Sequence, residues 1–115
     1  MSEQCVFCRI AAEEIPSNIV HRDADFVAFK DINPQAPVHV LIVPRRHIGS
    51  LADLAADDAA LVGQMVLLAT RLAAGEGLNE RGYRLVINCG PEGGQVVPHL
   101  HLHLLGGREL RGQLG

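Results

Sequence analysis

His99-Leu100-His101-Leu102-His103-Leu104-Leu105 is the stretch on which the interpretation of this chain depends. Histidine and leucine alternate along it, and on a β-strand alternate side chains point to opposite faces. The pattern predicts a strand over residues 99–105, with leucines in the core and three imidazoles on the face of a site. Near pH 7 an imidazole can act as nucleophile, base, donor or metal ligand. A metal ion held by all three histidines is the alternative interpretation.

Length and composition are typical of one globular domain. The chain has 115 residues, of which 48% are hydrophobic and 20% are charged. We therefore expect a single domain over residues 1–115 with a substantial core. A net charge of −3 and an aromatic content of 3% argue against a nucleic-acid polymer as partner. No apolar run approaches the roughly 18–20 residues of a membrane span, so no membrane partner is expected.

The N-terminal residues and the cysteines indicate a reducing compartment. Met1-Ser2-Glu3-Gln4 has neither the basic nor the apolar region of an export signal. Three cysteines are an odd count, so we expect reduced thiols and a cytoplasmic location. Cys5 and Cys8 form a C-x-x-C, which is half of a zinc site, two incidental thiols or a redox pair. The absence of a βαβ pattern around the motif counts against the redox pair, and the zinc site, completed by histidines elsewhere, is favoured.

The apolar patterns predict two helices and five strands. A short helix over residues 9–14 ends before Pro16, and a long helix spans residues 53–75. The long helix is apolar around most of its circumference, which predicts burial on two sides and contact with a second copy of the chain. Besides the histidine strand, strands are predicted over residues 18–21, 26–30, 38–43 and 83–88.

Three further features have both a structural and a functional interpretation. Asp31 is either a turn residue or a carboxylate that accepts hydrogen bonds from a ribose. His39, within a predicted strand, is either structural or part of the site. The glycine-rich stretch over residues 89–94 is either a hairpin loop or a backbone that approaches a phosphate closely.

A strand lined by histidines suits chemistry at phosphorus. A neutral imidazole can attack phosphorus and form a phosphohistidine, which divides one difficult step into two. Its other ring nitrogen must be held by an acceptor, and donors must stabilise the phosphate oxygens. The leaving group needs a proton. We expect His101 to be the nucleophile, with His99 and His103 as flanking donors. No Walker-type lysine loop is present, which excludes P-loop chemistry.

The histidine stretch resembles the H-φ-H-φ-H-φ-φ signature of the histidine-triad (HIT) superfamily. The resemblance extends over nearly the whole chain and is greatest to the Hint branch, the nucleoside phosphoramidases. It implies an α+β fold around an antiparallel five-stranded sheet, with one long and one short helix, that dimerises through a helix and a strand. The other matching stretches are Asp31-Ile32-Asn33-Pro34-Gln35-Ala36-Pro37-Val38-His39, Gly82-Tyr83-Arg84-Leu85-Val86, Gly93-Gly94-Gln95 and Leu105-Gly106-Gly107-Arg108.

The resemblance implies a hydrolase of purine nucleoside phosphoramidates. Substrates would be adenosine or guanosine 5′-phosphoramidates, including amine-linked and lysine-linked AMP, cleaved through a covalent nucleotidyl-histidine. His101 would attack the α-phosphorus, and Asp31 would hold the ribose hydroxyls. The other catalytic and nucleotide-binding residues would be His39, His99 and His103 around the nucleophile, Phe7, Ile10 and Ile32 in a purine slot, and Asn88, Gly94, Gln95 and the backbone around Val97 at the phosphate.

The resemblance also implies a structural zinc ion, although no cofactor is needed for the chemistry. Its ligands would be Cys5, Cys8, His47 and His99, two sulfurs and two nitrogens in a closed site. Two departures concern the leaving group. Val96 stands where many members carry a polar residue, in some a serine that assists the leaving group. Gly112-Gln113 stands where others place a tryptophan across the dimer.

Two other functions remain open. A related enzyme that cleaves diadenosine polyphosphates would use the same nucleophile, but it usually differs after the triad from Leu105-Gly106-Gly107-Arg108. A non-catalytic nucleotide-binding or scaffold protein would need no intact triad, so the three histidines count against it.

Overall fold

Five antiparallel strands form a single sheet. In the computed structural model, which describes residues 5–115, their order is β1-β2-β3-β5-β4. They are β1 (Ile19–Arg22), β2 (Phe26–Lys30), β3 (Val38–Pro44), β4 (Tyr83–Val86) and β5 (Leu102–Gly106). The predicted α+β fold with a five-stranded antiparallel sheet is confirmed. The stretch Met1–Gln4, used above to argue against an export signal, lies outside the described residues.

Helix α1 (Val6–Ala11) has the predicted length but lies three residues earlier than predicted. It begins at Cys5, whose Sγ accepts a hydrogen bond from the Cys8 backbone N–H at 3.3 Å, so the helix cap is one of the two motif cysteines. It ends before residue 14, because Glu13 has a left-handed backbone with φ of 60°. A side chain rarely adopts that conformation inside a helix.

Helix α2 (Ala59–Gly75) begins later than the predicted residue 53. Residues 51–53 and 56–58 form two separate 3₁₀ turns instead. Ser50 Oγ accepts from the Ala52 N–H at 3.1 Å, and Asp58 accepts from the Ala55 N–H at 2.8 Å. Each turn has its own side-chain cap, so the polar residues near position 55 interrupt the helix that apolar spacing alone predicted.

The sheet separates two cores, and each helix covers one face. β2 and β3 are buried on both faces, which explains their almost continuous apolar sequence. The α2 side contains Phe26, Ala28, Val40 and Ile42 of the sheet with Met65, Leu68 and Ala69 of the helix. The α1 side contains Val27, Phe29, Leu41 and Val43 with Phe7, Ile10 and Ala11.

The histidine strand begins at Leu102 rather than at residue 99. The His99 N–H bonds to the Val97 carbonyl at 2.8 Å, and the Leu100 N–H bonds to the Ile48 carbonyl at 2.6 Å, so neither joins the ladder to β3. The alternation of faces continues nevertheless. Leu100, Leu102 and Leu104 lie in the α2 core with at most 1% exposure.

Two other strands shift by a few residues. β1 runs over Ile19–Arg22, one residue later than predicted, and β4 ends at Val86 rather than at residue 88. The last pair of β4 and β5 is Val86 with His103, one residue after the start of β5. In the described part of the chain, neither helix combines the length and the apolarity that crossing a membrane requires.

Candidate active site

A cleft of about 560 Å³ opens on the α1 face of the sheet. Its walls are mainly apolar, with a few polar groups, as in sites for small organic ligands. Most of the predicted site residues line it, namely Phe7, Ile10, Asp31, Ile32, His39, Asn88, Gly94, Val97, His101 and His103. Gln95 does not line the cleft, and neither do the predicted metal ligands Cys5, Cys8, His47 and His99.

His101 has a fixed ring tautomer. Its Nδ1 lies 2.7 Å from the His99 carbonyl oxygen, which can only accept, so Nδ1 carries the proton. The ring packs edge-on against Phe7 with centroids 5.0 Å apart, and the residue is 6% exposed. The lone pair is therefore on Nε2 of a side chain that lines the cleft, where a nucleophile or base needs it.

His39 and His103 form a directed hydrogen-bond chain. The Gln35 backbone N–H donates to His39 Nδ1 at 3.0 Å, so the His39 proton is on Nε2. His39 Nε2 lies 2.9 Å from His103 Nδ1 and 3.4 Å from Asp31 Oδ2. Nδ1 of His103 is then the acceptor, and its Nε2 carries a proton. The chain presents His103 as a neutral N–H donor.

The electrostatics of the two rings agree with this assignment. Burial, together with the neighbouring His101 and His39, lowers the pKa of His103 to about 4. Burial also lowers the pKa of His39, while the Asp31 carboxylate opposes that shift. Both imidazoles are therefore neutral near pH 7, and the hydrogen-bond chain needs one proton on each.

Asp31 has the predicted turn role and also lines the cleft. Its Oδ1 accepts from the Asn33 backbone N–H at 2.9 Å, as in a turn. Its Oδ2 lies near His39 and is left without a backbone partner, and the residue lines the cleft. One oxygen thus shapes the loop, and the other is available to a ligand hydroxyl.

Gln95 stabilises the glycine-rich loop instead of lining the cleft. Its amide nitrogen donates to the carbonyls of Gly49 at 2.8 Å and Val97 at 3.0 Å, and its oxygen accepts from the Gly90 N–H at 3.0 Å. Gly94 beside it has φ of 82°, a conformation that favours glycine. The loop therefore presents Gly94 and Val97 to the cleft, while the Gln95 side chain holds it from behind.

Cys5, Cys8, His47 and His99 form a cluster of ligand atoms. One ligand atom from each lies within 4.8 Å of the others. His99 Nδ1 is 3.1 Å from Cys5 Sγ, and His47 Nδ1 is 3.2 Å from Cys8 Sγ. His99 Nε2 donates to the Pro44 carbonyl at 2.9 Å, so its Nδ1 lone pair faces the thiols.

The donor set fits a tetrahedral metal ion. Two sulfurs and two ring nitrogens that converge in a part-buried site are typical of structural zinc ligation. Burial, with the neighbouring Cys5, raises the pKa of the Cys8 thiol to about 11. A cation would reverse that shift, because it stabilises the thiolate.

His99 does not act as a flanking donor toward the cleft, in contrast to the expectation from sequence. Its side chain is fully buried, and its Nε2–H is used by Pro44. The three histidines also do not converge on one metal position, because His99 Nδ1 faces the thiols and His103 Nδ1 faces His39. His99 contributes its carbonyl to the site, through His101.

Several groups around the site were not predicted. Phe29 and Leu41 line the cleft, and alternation from His39 would have placed Leu41 on this face. The Gln35 N–H and the Pro44 carbonyl orient two histidines, but backbone groups leave no signal in a sequence. They become visible only when the loop and strand are folded.

The chain belongs to the HIT domain family, which matches residues 12–110. It is 46% identical over 110 residues to the purine nucleoside phosphoramidase of Escherichia coli K12, covering 96% of this chain and 92% of that one. An uncharacterized HIT-like protein of Synechococcus elongatus is 52% identical over 110 residues, with 96% of each chain covered.

Solved structures show the same fold. A HIT family hydrolase from Legionella pneumophila superimposes with a TM-score of 0.96 at 49% identity, over 97% of this chain and 100% of that one. A histidine triad protein from Clostridium difficile gives a TM-score of 0.93 at 41% identity, over 96% of each chain. The resemblance noted from the histidine stretch is thereby confirmed.

Proposed function

We propose that this protein is a purine nucleoside phosphoramidase that hydrolyses adenosine or guanosine 5′-phosphoramidates, including amine-linked and lysine-linked AMP. The observation that carries the proposal is the hydrogen bond from His101 Nδ1 to the His99 carbonyl, which leaves the Nε2 lone pair free in a side chain that lines the cleft. The similarity to the Escherichia coli purine nucleoside phosphoramidase supports the same substrate class.

The reaction would proceed in two displacements. In the first, His101 Nε2 forms a bond to the α-phosphorus, and the P–N bond breaks as the amine leaves with a proton from the solvent, which the attacking water of the second displacement returns. His103, as a neutral N–H donor, would stabilise charge on the phosphate or the departing group. In the second, water attacks phosphorus, the nucleoside monophosphate leaves, and Nε2 regains its lone pair.

The remaining cleft residues would bind the nucleotide. Asp31 Oδ2 would accept hydrogen bonds from the ribose hydroxyls. Phe7, Ile10 and Ile32 would form an apolar slot for the purine. Ile32 is 97% exposed, so a bound base would bury it. The phosphate contacts would come from Asn88, Gly94 and the backbone around Val97, with Gln95 holding the loop.

We also propose that the thiol and imidazole cluster binds a structural zinc ion. The four ligands would be Cys5, Cys8, His47 and His99. When bound, the ion would link α1 to the segment before β5, and so stabilise the fold. The ring of His99 would be held in place by the ion, and the His99 carbonyl would hold His101.

The proposed assembly is a homodimer in the cytoplasm. Within the described residues Leu67 of α2 is 57% exposed, and β4 is an edge strand whose residues are all half-buried. An exposed leucine on a helix and an unpaired strand edge are both suited to an isologous contact. Sedimentation at several protein concentrations would distinguish a dimer from a single chain.

The test is hydrolysis of adenosine 5′-phosphoramidate by the purified protein and by His101→Ala. We expect turnover in the first and its loss in the second, with nucleotide binding retained. His21→Gln, which removes a partly buried imidazole that does not line the cleft, is the matched control. No turnover by the intact protein, together with tight nucleotide binding, would refute the proposal and favour a binding role.

A further inference from the structure

A second groove lies on the same face of the sheet as the cleft, and arginines dominate it. Its lining residues are Gln35, Arg84, Leu105, Arg108, Leu110 and Arg111. Three of the ten cationic side chains in a chain of net charge −3 are thus gathered in one place. No carboxylate lines the groove.

Two of the three guanidinium groups, those of Arg84 and Arg108, are held by backbone oxygens and not by acids. Arg84 donates to the Arg111 carbonyl, and Arg108 donates to the carbonyls of Glu109 and Gln35 at 2.9 Å each. In the part of the chain that is described, none of the three lies within 4 Å of a carboxylate, whereas Arg9, Arg22 and Arg46 each do. The groove therefore carries uncompensated positive charge with partly fixed donors.

The strand register puts this groove next to the catalytic histidines. Leu105 is paired with His39 on one side and with Arg84 on the other, so Arg84 lies directly across β5 from His39. Leu105 follows His103 by two residues on the same face, a separation of about 7 Å along the strand. Gln35 lines both the cleft and the groove.

We infer that the arginine groove binds an anionic group, carboxylate or phosphate, carried by the leaving amine of the substrate. This inference rests on the proposed phosphoramidase function. An amine that departs beside His103 and extends along β5 would bring a group two carbons from its nitrogen toward Arg84. Guanidinium groups bind carboxylate and phosphate oxygens through paired N–H donors.

The experiment compares three adenosine 5′-phosphoramidates of similar length. Their amines are ethanolamine, β-alanine and phosphoethanolamine, which end in a hydroxyl, a carboxylate and a phosphate. We measure kcat/KM for each with the intact protein and with Arg84→Gln and Arg111→Gln. The control is Arg71→Gln, which removes the same charge from an exposed position on α2.

The expected result is a preference for the anionic amines that falls about fivefold in Arg84→Gln, the size of one partly exposed ion pair. The preference should also weaken with added salt. A loss for β-alanine alone identifies a carboxylate site, and a loss for both anions identifies a general anion site. Equal ratios in all four proteins, or an equal loss in Arg71→Gln, would overturn the inference.

A binding measurement separates this inference from the proposed function. Calorimetry with His101→Ala gives the dissociation constants of the same three compounds without turnover. If the intact protein binds but never cleaves them, the phosphoramidase proposal fails, while the ratio of dissociation constants still decides the role of the groove. If none of the three binds, both are overturned.

Discussion

Acidification should destabilise this fold through one imidazole in particular. His103 is partly buried between His39 and His101, and burial lowers its pKa to about 4, against about 6.5 in an unfolded chain. Between about pH 4 and pH 6.5, His103 is therefore protonated in the unfolded state and neutral in the folded state. Stability is fully present above pH 6.5 and is lost as the pH falls toward 4.

The size of the effect follows from the two pKa values. Near pH 5.5 the unfolded chain holds almost one more proton at His103, so the free energy of unfolding changes by about 1.2 kcal/mol per pH unit. Between pH 7 and pH 4 the total is about 3 kcal/mol. Urea denaturation at half-unit steps of pH gives this slope directly.

The comparison protein is His103→Gln, which cannot take up the proton. Carboxylates that do not contact His103 titrate alike in both proteins, so they cancel in the difference between the two slopes. Parallel curves for the intact protein and His103→Gln between pH 5 and 6 would refute the argument that His103 is neutral in the fold.

Three further outcomes follow from particular contacts. Gly63→Ala should stabilise α2 by about 0.5–1 kcal/mol, because a Cβ there meets nothing within 4 Å. Gly106→Ala should destabilise the fold by about 1–3 kcal/mol, because its Cβ would lie 2.7 Å from Leu78. Thermal unfolding of the two variants tests both values. Asp31→Asn should raise KM about tenfold with little change in kcat, since it weakens ribose binding; an unchanged KM contradicts this. Cys8→Ser should lose zinc on dialysis and lower Tm; metal analysis showing full retention contradicts it.

The face assignment of the histidine stretch could be predicted from sequence, because it depends only on alternation. Leu100, Leu102 and Leu104 are in the core and His101 and His103 line the cleft, as expected. The start of the strand could not be predicted. Side chains also alternate in an extended segment that belongs to no strand ladder, as before Leu102. There the Leu100 N–H bonds to the Ile48 carbonyl and not to β3.

The predicted start of α2 was wrong for a related reason. Apolar spacing extends over residues 53–75, but Asp58 accepts from the Ala55 N–H and pairs with Arg46, which closes a separate turn. Similarly, the sequence marks His39 and His103 as candidates without indicating which ring nitrogen carries a proton. That depends on the Gln35 N–H, a group that every residue except proline possesses.

One residue in this fold acts through two chemically independent parts. The His99 ring faces Cys5 and Cys8, while its carbonyl holds the proton of His101. Substitution changes only the ring, since any amino acid supplies the carbonyl. The thiol and imidazole cluster can therefore be replaced by apolar side chains in the course of evolution, while the His99 carbonyl position still holds the proton on Nδ1 of His101.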